Sequence, residues 1–301
     1  MTDTVSSAGN ERGLDVRFWG VRGSVGVSGP AVDVFGGHTS CIEIMAGTSR
    51  VILDAGTGIV PLGAMINAKA GDHFDIVLTH LHHDHVIGLL LFAPCFVPGV
   101  TIDIYCGNLG GDSAEEALKR LFSPPLFPVT FDALPSAVRF IGFSAGEMIS
   151  VGGMSVRTCP LNHPDGATGY RFERDGRSVV VLTDMEHGGE AGDPDPGLIA
   201  FARGADLVVY DATYDEDDYP RYRGWGHSTW EAGVALARAA KATSLACFHH
   251  APDYDDARLG RMEKKLKTDF PNGFFAREGG RLIFGPHPQI GRIADRADAT
   301  R

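Results

Sequence analysis

At 301 residues with 44% hydrophobic side chains, the chain can bury a large core as one domain or two. Lys and Arg number 27 against 38 Asp and Glu, and the formal charge of −11 argues against a broad nucleic-acid surface or an anionic membrane as the main partner. The five cysteines are scattered without a CxxC pair, so they read as buried reduced thiols rather than disulfides or a thiolate zinc site, and the cytoplasm is the expected location.

Residues 1–13 are small and polar, without the apolar stretch of a secretory signal, and read as a disordered tail. Leu14 to Trp19 alternates like a half-buried strand, and Gly20 to Pro30, with four glycines, is loop. Gly36-Gly37-His38-Thr39-Ser40 leads into two strands, Cys41–Ala46 and Arg50–Leu53, joined by a turn at Gly47. Asp54-Ala55-Gly56-Thr57-Gly58 then breaks the chain, and a helix is expected through Lys69. No GxxxxGKS or GxxxxGKT phosphate loop is present, so these glycines are expected to let the backbone approach a crowded site.

Phe74 to Leu78 reads as a buried strand and runs into Thr79-His80-Leu81-His82-His83-Asp84-His85, ahead of an apolar segment, Val86 to Phe92, that could open a helix. Alternate side chains on an extended backbone share a face, so His80 and His82 can grip one ion while Leu81 anchors in the core. Where the chain turns into the helix, Asp84 and His85 project together and can grip a second ion. The plainer reading, a surface loop with Asp84 as a helix cap, gives way because the rest of the chain supplies further ligands. The most apolar window, Val86 to Val100, is short and broken by Pro94 and Pro98, so it does not span a bilayer.

A strand (Thr101–Tyr105) and a helix (Asp112–Phe122) come next, then Ser123 to Pro135, whose four prolines among aromatic residues suit a substrate rim or lid. Strands follow at Val138–Phe143, Met154–Thr158, Gly169–Glu173 and Ser178–Leu182. Two of them run into chemistry: Cys159-Pro160-Leu161-Asn162-His163-Pro164 and Thr183-Asp184-Met185-Glu186-His187. Leu207–Tyr210 is a strand ending at Asp211, and Asp215 to Asp218 reads as a solvated acidic loop. Gly226-His227-Ser228-Thr229 opens a helix to about Ala240, with Ser228 or Thr229 as cap and Glu231 in the first turn. Ser244–Phe248 is a strand ending at His249-His250, Asp255 to Lys267 a charged helix, and two short strands flank Glu278-Gly279-Gly280. Residues 286–301 read as a polar tail, and no composition step marks a second domain, so residues 14–285 are expected to form one.

Strand ends thus deliver His80, His82, Asp84, His85, His163, Asp184 and His249 to one edge of an alternating α/β structure. Here the chain resembles the metallo-β-lactamase superfamily, and within it the branch of RNase Z and the phosphoribosyl cyclic phosphodiesterases. The resemblance spans about Val16 to Ile283. It rests on the opening Phe18-Trp19-Gly20-Val21-Arg22-Gly23-Ser24, on Gly36 to Cys41, Leu53 to Gly58 and His80 to His85, and on His163 and Thr183-Asp184. Tyr210-Asp211-Ala212-Thr213-Tyr214, Gly226-His227-Ser228 and His249 to Pro252 complete it.

The resemblance implies an αββα sandwich, an α/β fold of two mixed β-sheets face to face with helices outside and the site along one edge. Carried over residue by residue, His80, His82 and His163 would bind a first metal, Asp84, His85 and His249 a second, and Asp184 would bridge both. Imidazole and carboxylate ligands without thiolate suit two divalent ions, Zn²⁺ first, with Mn²⁺ or Fe²⁺ as alternatives. Two cations about 4 Å apart can hold a hydroxide and lower its pKa towards neutrality, which makes it the inferred nucleophile. In this branch the histidine of the Gly-His-Ser setting faces the site and an acid upstream orients it. His227 and Asp211 take those places, although relatives often carry Glu where Asp211 stands. The poor alkoxide leaving group of a phosphodiester calls for such a general acid, so His227, Asp211 and Asp84 are the catalytic candidates.

Among the other histidines, His249 rather than His250 matches the H-x-x-P spacing of the family, at Pro252, so the resemblance implies the ligand role for His249. His83 is expected at solvent or behind the ligands, His187 either near the substrate or in a plain loop, and His73 and His287 at the surface. His38 stands where relatives commonly have Asn. The expected activity is hydrolysis of a small, cyclic phosphodiester; the acidic charge and the lack of an inserted arm disfavour a polynucleotide. Arg221, Arg223 and Trp225 could clamp a phosphate and stack on a base or sugar. The alternatives are another ester or lactone, an RNase Z-like nuclease, or a non-hydrolytic metal-binding sensor on the same fold. Apolar exposed strands are compatible with a homodimer, as is common among relatives.

Overall fold

The computed structural model describes residues 13–107, 109, 113–188 and 193–285. Among them two mixed sheets of seven strands lie face to face. With strands numbered in chain order, the first sheet runs β14 (Arg281–Phe284), β1 (Leu14–Gly20), β2 (Cys41–Ala46), β3 (Ser49–Leu53), β4 (His73–Leu78), β5 (Thr101–Cys106), β6 (Ala137–Gly142). The second runs β13 (Gly273–Phe275), β12 (Ser244–Phe248), β11 (Leu207–Asp211), β10 (Arg177–Leu182), β9 (Ala167–Arg174), β8 (Met154–Leu161), β7 (Met148–Val151). Strands β3 to β6 pair in parallel, as do β10 to β13, and the remaining neighbours are antiparallel.

Alternation along each strand divides the core into three layers. In β10, Val179 and Val181 point between the sheets while Val180 and Leu182 point outwards; in β12, Ala246 and Phe248 point inwards and Leu245 and Cys247 outwards. In β4 it is Val77 that faces the opposite sheet, and Phe74, Ile76 and Leu78 that meet the outer layer. Helices α1 (Ile59–Met65), α2 (His83–Val86) and α3 (Ala114–Leu121) bury residues against the first sheet, and α4 (Pro196–Ala202), α5 (Tyr219–Tyr222), α6 (Trp230–Ala240) and α7 (Asp256–Asp269) against the second. The result is the αββα sandwich that the resemblance implies.

Several elements differ from the sequence reading. Helix α1 stops at Met65 rather than Lys69, because Ile66 takes an extended backbone and packs its side chain on the outer core. The single turn of α2 ends at Val86, and the chain continues in 3-10 turns at Leu89–Leu91 and Ala93–Phe96, the second with Pro94 in its first turn, instead of a continuous helix. Strand β7 and helix α4 went unanticipated; Asp195 caps α4 by accepting from the Leu198 N–H at 2.9 Å, with Pro196 at its first position. The proline-rich stretch expected at the rim is anchored in the outer core of the first sheet, where Phe131 meets Phe122 edge-on at 5.7 Å and Phe140 at 5.3 Å. Residues 1–12 and 286–301, read as tails, lie outside the described residues, as does Asp112. Among the described residues no helix is long and apolar enough to cross a membrane.

Candidate metal centre

The carboxyl ends of the parallel strands share one edge of the sandwich, the place where open α/β sheets hold ligands. Asp54 follows β3, Thr79 and His80 follow β4, Asp184 follows β10 and His249 follows β12, while Asp211 ends β11 and Asn162-His163 follow β8. Asp54, Asp184 and His249 have positive φ, 62°, 58° and 63°. A side chain in that left-handed region costs about 1 kcal/mol or more, so each turn is held there by its surroundings. The two sheets grip the histidine stretch between them: Tyr170 of β9 donates its hydroxyl to the Leu78 carbonyl at 2.6 Å, and the Thr168 N–H donates to the Thr79 carbonyl at 2.9 Å.

Two groups of donors converge. Asp84, His85, Asp184 and His249 form one, and His80, His82 and His163 the other, each with ligand atoms within 4.8 Å of one another. In the first, His85 Nε2 lies 3.2 Å from Asp84 Oδ2, 3.3 Å from Asp184 Oδ2 and 3.3 Å from His249 Nε2. His249 Nε2 lies 3.1 Å from Asp84 Oδ2 and 3.2 Å from Asp184 Oδ1. In the second, His82 Nδ1 faces His163 Nε2 at 3.1 Å. Asp184 Oδ1 reaches across to His80 Nε2 at 3.8 Å and His163 Nε2 at 4.0 Å, so this carboxylate touches both groups.

The outer hydrogen bonds decide which nitrogen each ring offers. His85 Nδ1–H donates to Asp54 Oδ2 at 2.7 Å, and His163 Nδ1–H donates to the Gly226 carbonyl at 2.8 Å. The Thr213 hydroxyl donates to Asp211 at 2.8 Å and therefore accepts from His249 Nδ1–H at 3.0 Å. The Thr79 hydroxyl likewise donates to Asp54 at 3.0 Å and accepts from His80 Nδ1–H at 3.1 Å. Four Nε2 lone pairs are thereby turned inwards, the arrangement found around metal-bound imidazoles. His80 Nε2 is buried without any hydrogen-bond partner. Donors in a tetrahedron around zinc, about 2.0–2.1 Å from the ion, sit about 3.3 Å apart, close to the spacings above. The donor set fits a pair of divalent cations.

The charges agree. Burial opposes a proton on His85 and His249, but Asp184 and Asp84 outweigh it, holding His85 well above its usual range and pushing His249 up to about 9. Burial also opposes ionisation of Asp84 and Asp184, and the facing imidazoles reverse that, so both carboxyls sit well below the ordinary range. Burial dominates at His80 and His163 and lowers both.

Beside these groups, His227 Nδ1–H donates to Asp211 Oδ2 at 2.9 Å, a direct contact despite the shorter acid. Asp211 is fully buried and also accepts from the N–H groups of Asp184 at 3.0 Å, Thr213 at 3.1 Å and Ser228 at 3.2 Å. Burial alone would raise its pKa, but His227 lowers it, so it stays ionised. His227 opens onto a cleft of about 430 Å³ whose walls include Ser24, His82, His83, Asp84 and Asp184.

All seven ligand candidates and the His227–Asp211 pair therefore meet at one place. His250 points the other way, donating Nε2–H to the Ala276 carbonyl at 2.8 Å, and burial pushes its pKa down to about 3. His83 is exposed at the cleft, and His38 bonds Thr57 Oγ1 at 3.1 Å. His187 is buried behind the site, its Nδ1 2.8 Å from Ser228 Oγ and its ring 4.4 Å from that of Tyr219. His73 is half exposed beside Asp75 at the far edge, and His287 lies outside the described residues.

Sequence reasoning missed four contributors. Asp54 and Thr213 orient the rings of His85 and His249, and their signal was adjacency to strand ends already marked. Ser24, with φ 61°, donates its N–H to Asp84 Oδ2 at 2.7 Å. Glu186 takes N–H groups of the loop before His227, at 2.7 Å from Gly224 and 3.0 Å from Gly226, and nothing local in the sequence announces it.

A family model described as beta-lactamase superfamily domain matches residues 49–250. Ribonuclease Z of Mycobacterium marinum is 26% identical to the chain over 80% of its length and 88% of that protein. Among solved structures, a diphosphatase of the PhnP family superposes with a TM-score of 0.65 at 20% identity, covering 92% of this chain and 99% of that one. The metallo-beta-lactamase fold protein YhfI from Bacillus subtilis superposes with a TM-score of 0.66 at 18% identity, covering 90% and 100%. At these identities the structural matches speak for the fold.

Proposed function

The chain belongs to the beta-lactamase superfamily and is a metal-dependent hydrolase, and from that premise we propose that it is a dinuclear phosphodiesterase acting on a small, cyclic phosphodiester. The observation that carries this reading is the His227–Asp211 pair, 2.9 Å apart, opening onto the cleft where Asp184 joins the two donor groups.

His80, His82 and His163 would hold one cation, Asp84, His85 and His249 the other, and Asp184 would serve both. Divalent ions there, Zn²⁺ first, would supply Lewis acidity to the phosphoryl oxygens and a nucleophilic hydroxide at neutral pH. The chain's own work is positional and protonic. Asp54, Thr213, Thr79 and the Gly226 carbonyl hold each imidazole with its inward lone pair fixed. His227 gives its Nδ1–H to Asp211, so Nε2 is the atom presented to the cleft. An imidazolium there, stabilised by the ionised Asp211, donates its Nε2 proton to the departing alkoxide oxygen. Asp84, a donor that also lines the cleft, would help to hold the second cation.

Similarity to ribonuclease Z supports a phosphodiester as the bond cleaved, and the charge of −11 supports a small substrate over a polynucleotide. The test is turnover of bis-p-nitrophenyl phosphate with metal content determined on the same sample. Hydrolysis with about two metals per chain is the expected result. Two metals without hydrolysis would shift the reading to another ester or a lactone, and no metal would reopen the sensor.

A further inference from the structure

The loop that delivers His227 carries an exposed ring. Trp225 is 63% exposed, whereas Trp19 and Trp230 are buried. A single exposed aromatic is unremarkable by itself; its mounting is what matters here. The Glu186 carboxylate accepts from Gly224 N–H and Gly226 N–H, one residue to either side of Trp225, and from the Tyr219 hydroxyl at 2.9 Å. Trp225 N–H donates to the Tyr222 carbonyl at 3.0 Å. Beneath the indole, Tyr222 meets it edge-on at 5.4 Å, Tyr222 stacks on Tyr214 at 4.4 Å, and Tyr214 meets His227 at 6.2 Å. The backbone and rings under Trp225 are thus held before any ligand arrives, which removes much of the ordering cost of a stacking contact.

Resting on the phosphodiesterase reading of this site, we propose that Trp225 is a stacking platform for a nucleobase, so that the substrate is a small nucleoside phosphodiester rather than a phosphorylated sugar alone. His227 stands two positions after Trp225, a backbone reach of at most about 7 Å, which is the scale of one nucleoside. The residue between them, Gly226, takes the His163 Nδ1–H on its carbonyl, so the loop that carries the platform is tied to the donor groups. Exposed Arg221 and Arg223 stand just before the ring in sequence, Arg221 3.5 Å from Asp218 and Arg223 over the Tyr219 ring at 5.5 Å, and bring positive charge that suits the anionic side of a nucleotide.

The test is isothermal titration of the purified protein with adenosine monophosphate and with ribose 5-phosphate, which lacks the ring. We expect the nucleotide to bind roughly tenfold more tightly, since base-on-aromatic stacking is commonly of that order. Trp225→Ala should bring the two dissociation constants together, and Trp225→Phe should keep most of the difference. Equal affinities in the unaltered protein, a preference that survives Trp225→Ala, or no binding of the nucleotide would each overturn the platform. A short oligonucleotide that binds far more tightly than the mononucleotide, with a Trp225-dependent advantage, would overturn the small-substrate part. Titration requires no turnover, so a failed phosphodiester assay would sink the reaction assigned above while leaving the platform to its own result.

Discussion

In the proposed reaction Asp184 would serve metal retention and His227 proton delivery. One buried carboxylate touches both donor groups, so Asp184→Ala should strip both metals and activity together. Two metals per chain in that variant, measured by elemental analysis, would end the bridging role. His227→Ala should keep both metals and lose turnover, with the loss smallest for a good leaving group such as p-nitrophenolate, which needs little protonation. Equal losses on good and poor leaving groups would count against general acid catalysis. At the same scale, close approach explains two glycines: a Cβ on Gly23 would stand 2.3 Å from the His249 ring, and one on Gly56 2.1 Å from the Asp84 carbonyl. The glycine loops of the sequence therefore serve backbone access to a crowded site.

At the scale of elements, the acidic run after β11 is tied down: Arg258 of α7 meets Asp215 at 3.0 Å and Asp218 at 2.7 Å, where the sequence suggested a solvated loop. Helix α6, which follows His227, starts with Thr229 accepting from the Ala232 N–H at 3.1 Å. Glu231 sits in its first turn, where the helix dipole favours a carboxylate, yet burial, with Glu216 and Asp215 nearby, pushes its pKa up to about 8 from 4.5. Because the folded value lies above the unfolded one, the stability this group contributes is complete below about pH 4.5 and is lost as pH rises through about 8. Glu231→Gln should therefore gain stability over the parent with rising pH, levelling off above that point. Urea midpoints at about pH 5 and about pH 9 would show it, and an advantage that shrinks with pH would refute the assignment.

At the scale of the molecule, the site depends on two sheets meeting at one edge. The Tyr170 hydroxyl spans them to the Leu78 carbonyl, two residues before His80, from a fully buried ring. Tyr170→Phe removes that donor without changing shape and should cost about 1–2 kcal/mol. The urea midpoint should fall with an unchanged slope, and an unchanged midpoint would mean the contact adds nothing to stability.

The sequence by itself determined the chemistry and most of the framework. H-x-H-x-D-H at a strand end, the later His163, Asp184 and His249, and the alternation of β4, β10 and β12 are local patterns, because ligand type and strand period are written in neighbouring residues. What only the tertiary structure decided are the partners that reach across it. Asp54 behind His85, Thr213 behind His249, Ser24 on Asp84 and Glu186 beneath the Trp225 loop lie 31, 36, 60 and about 40 residues from what they hold. The same is true of the proline-rich segment, whose phenylalanines found the outer core of the first sheet rather than the cleft. A hydrogen bond or ring contact between distant residues leaves no periodic trace, since its geometry exists only once both sheets have closed on the site.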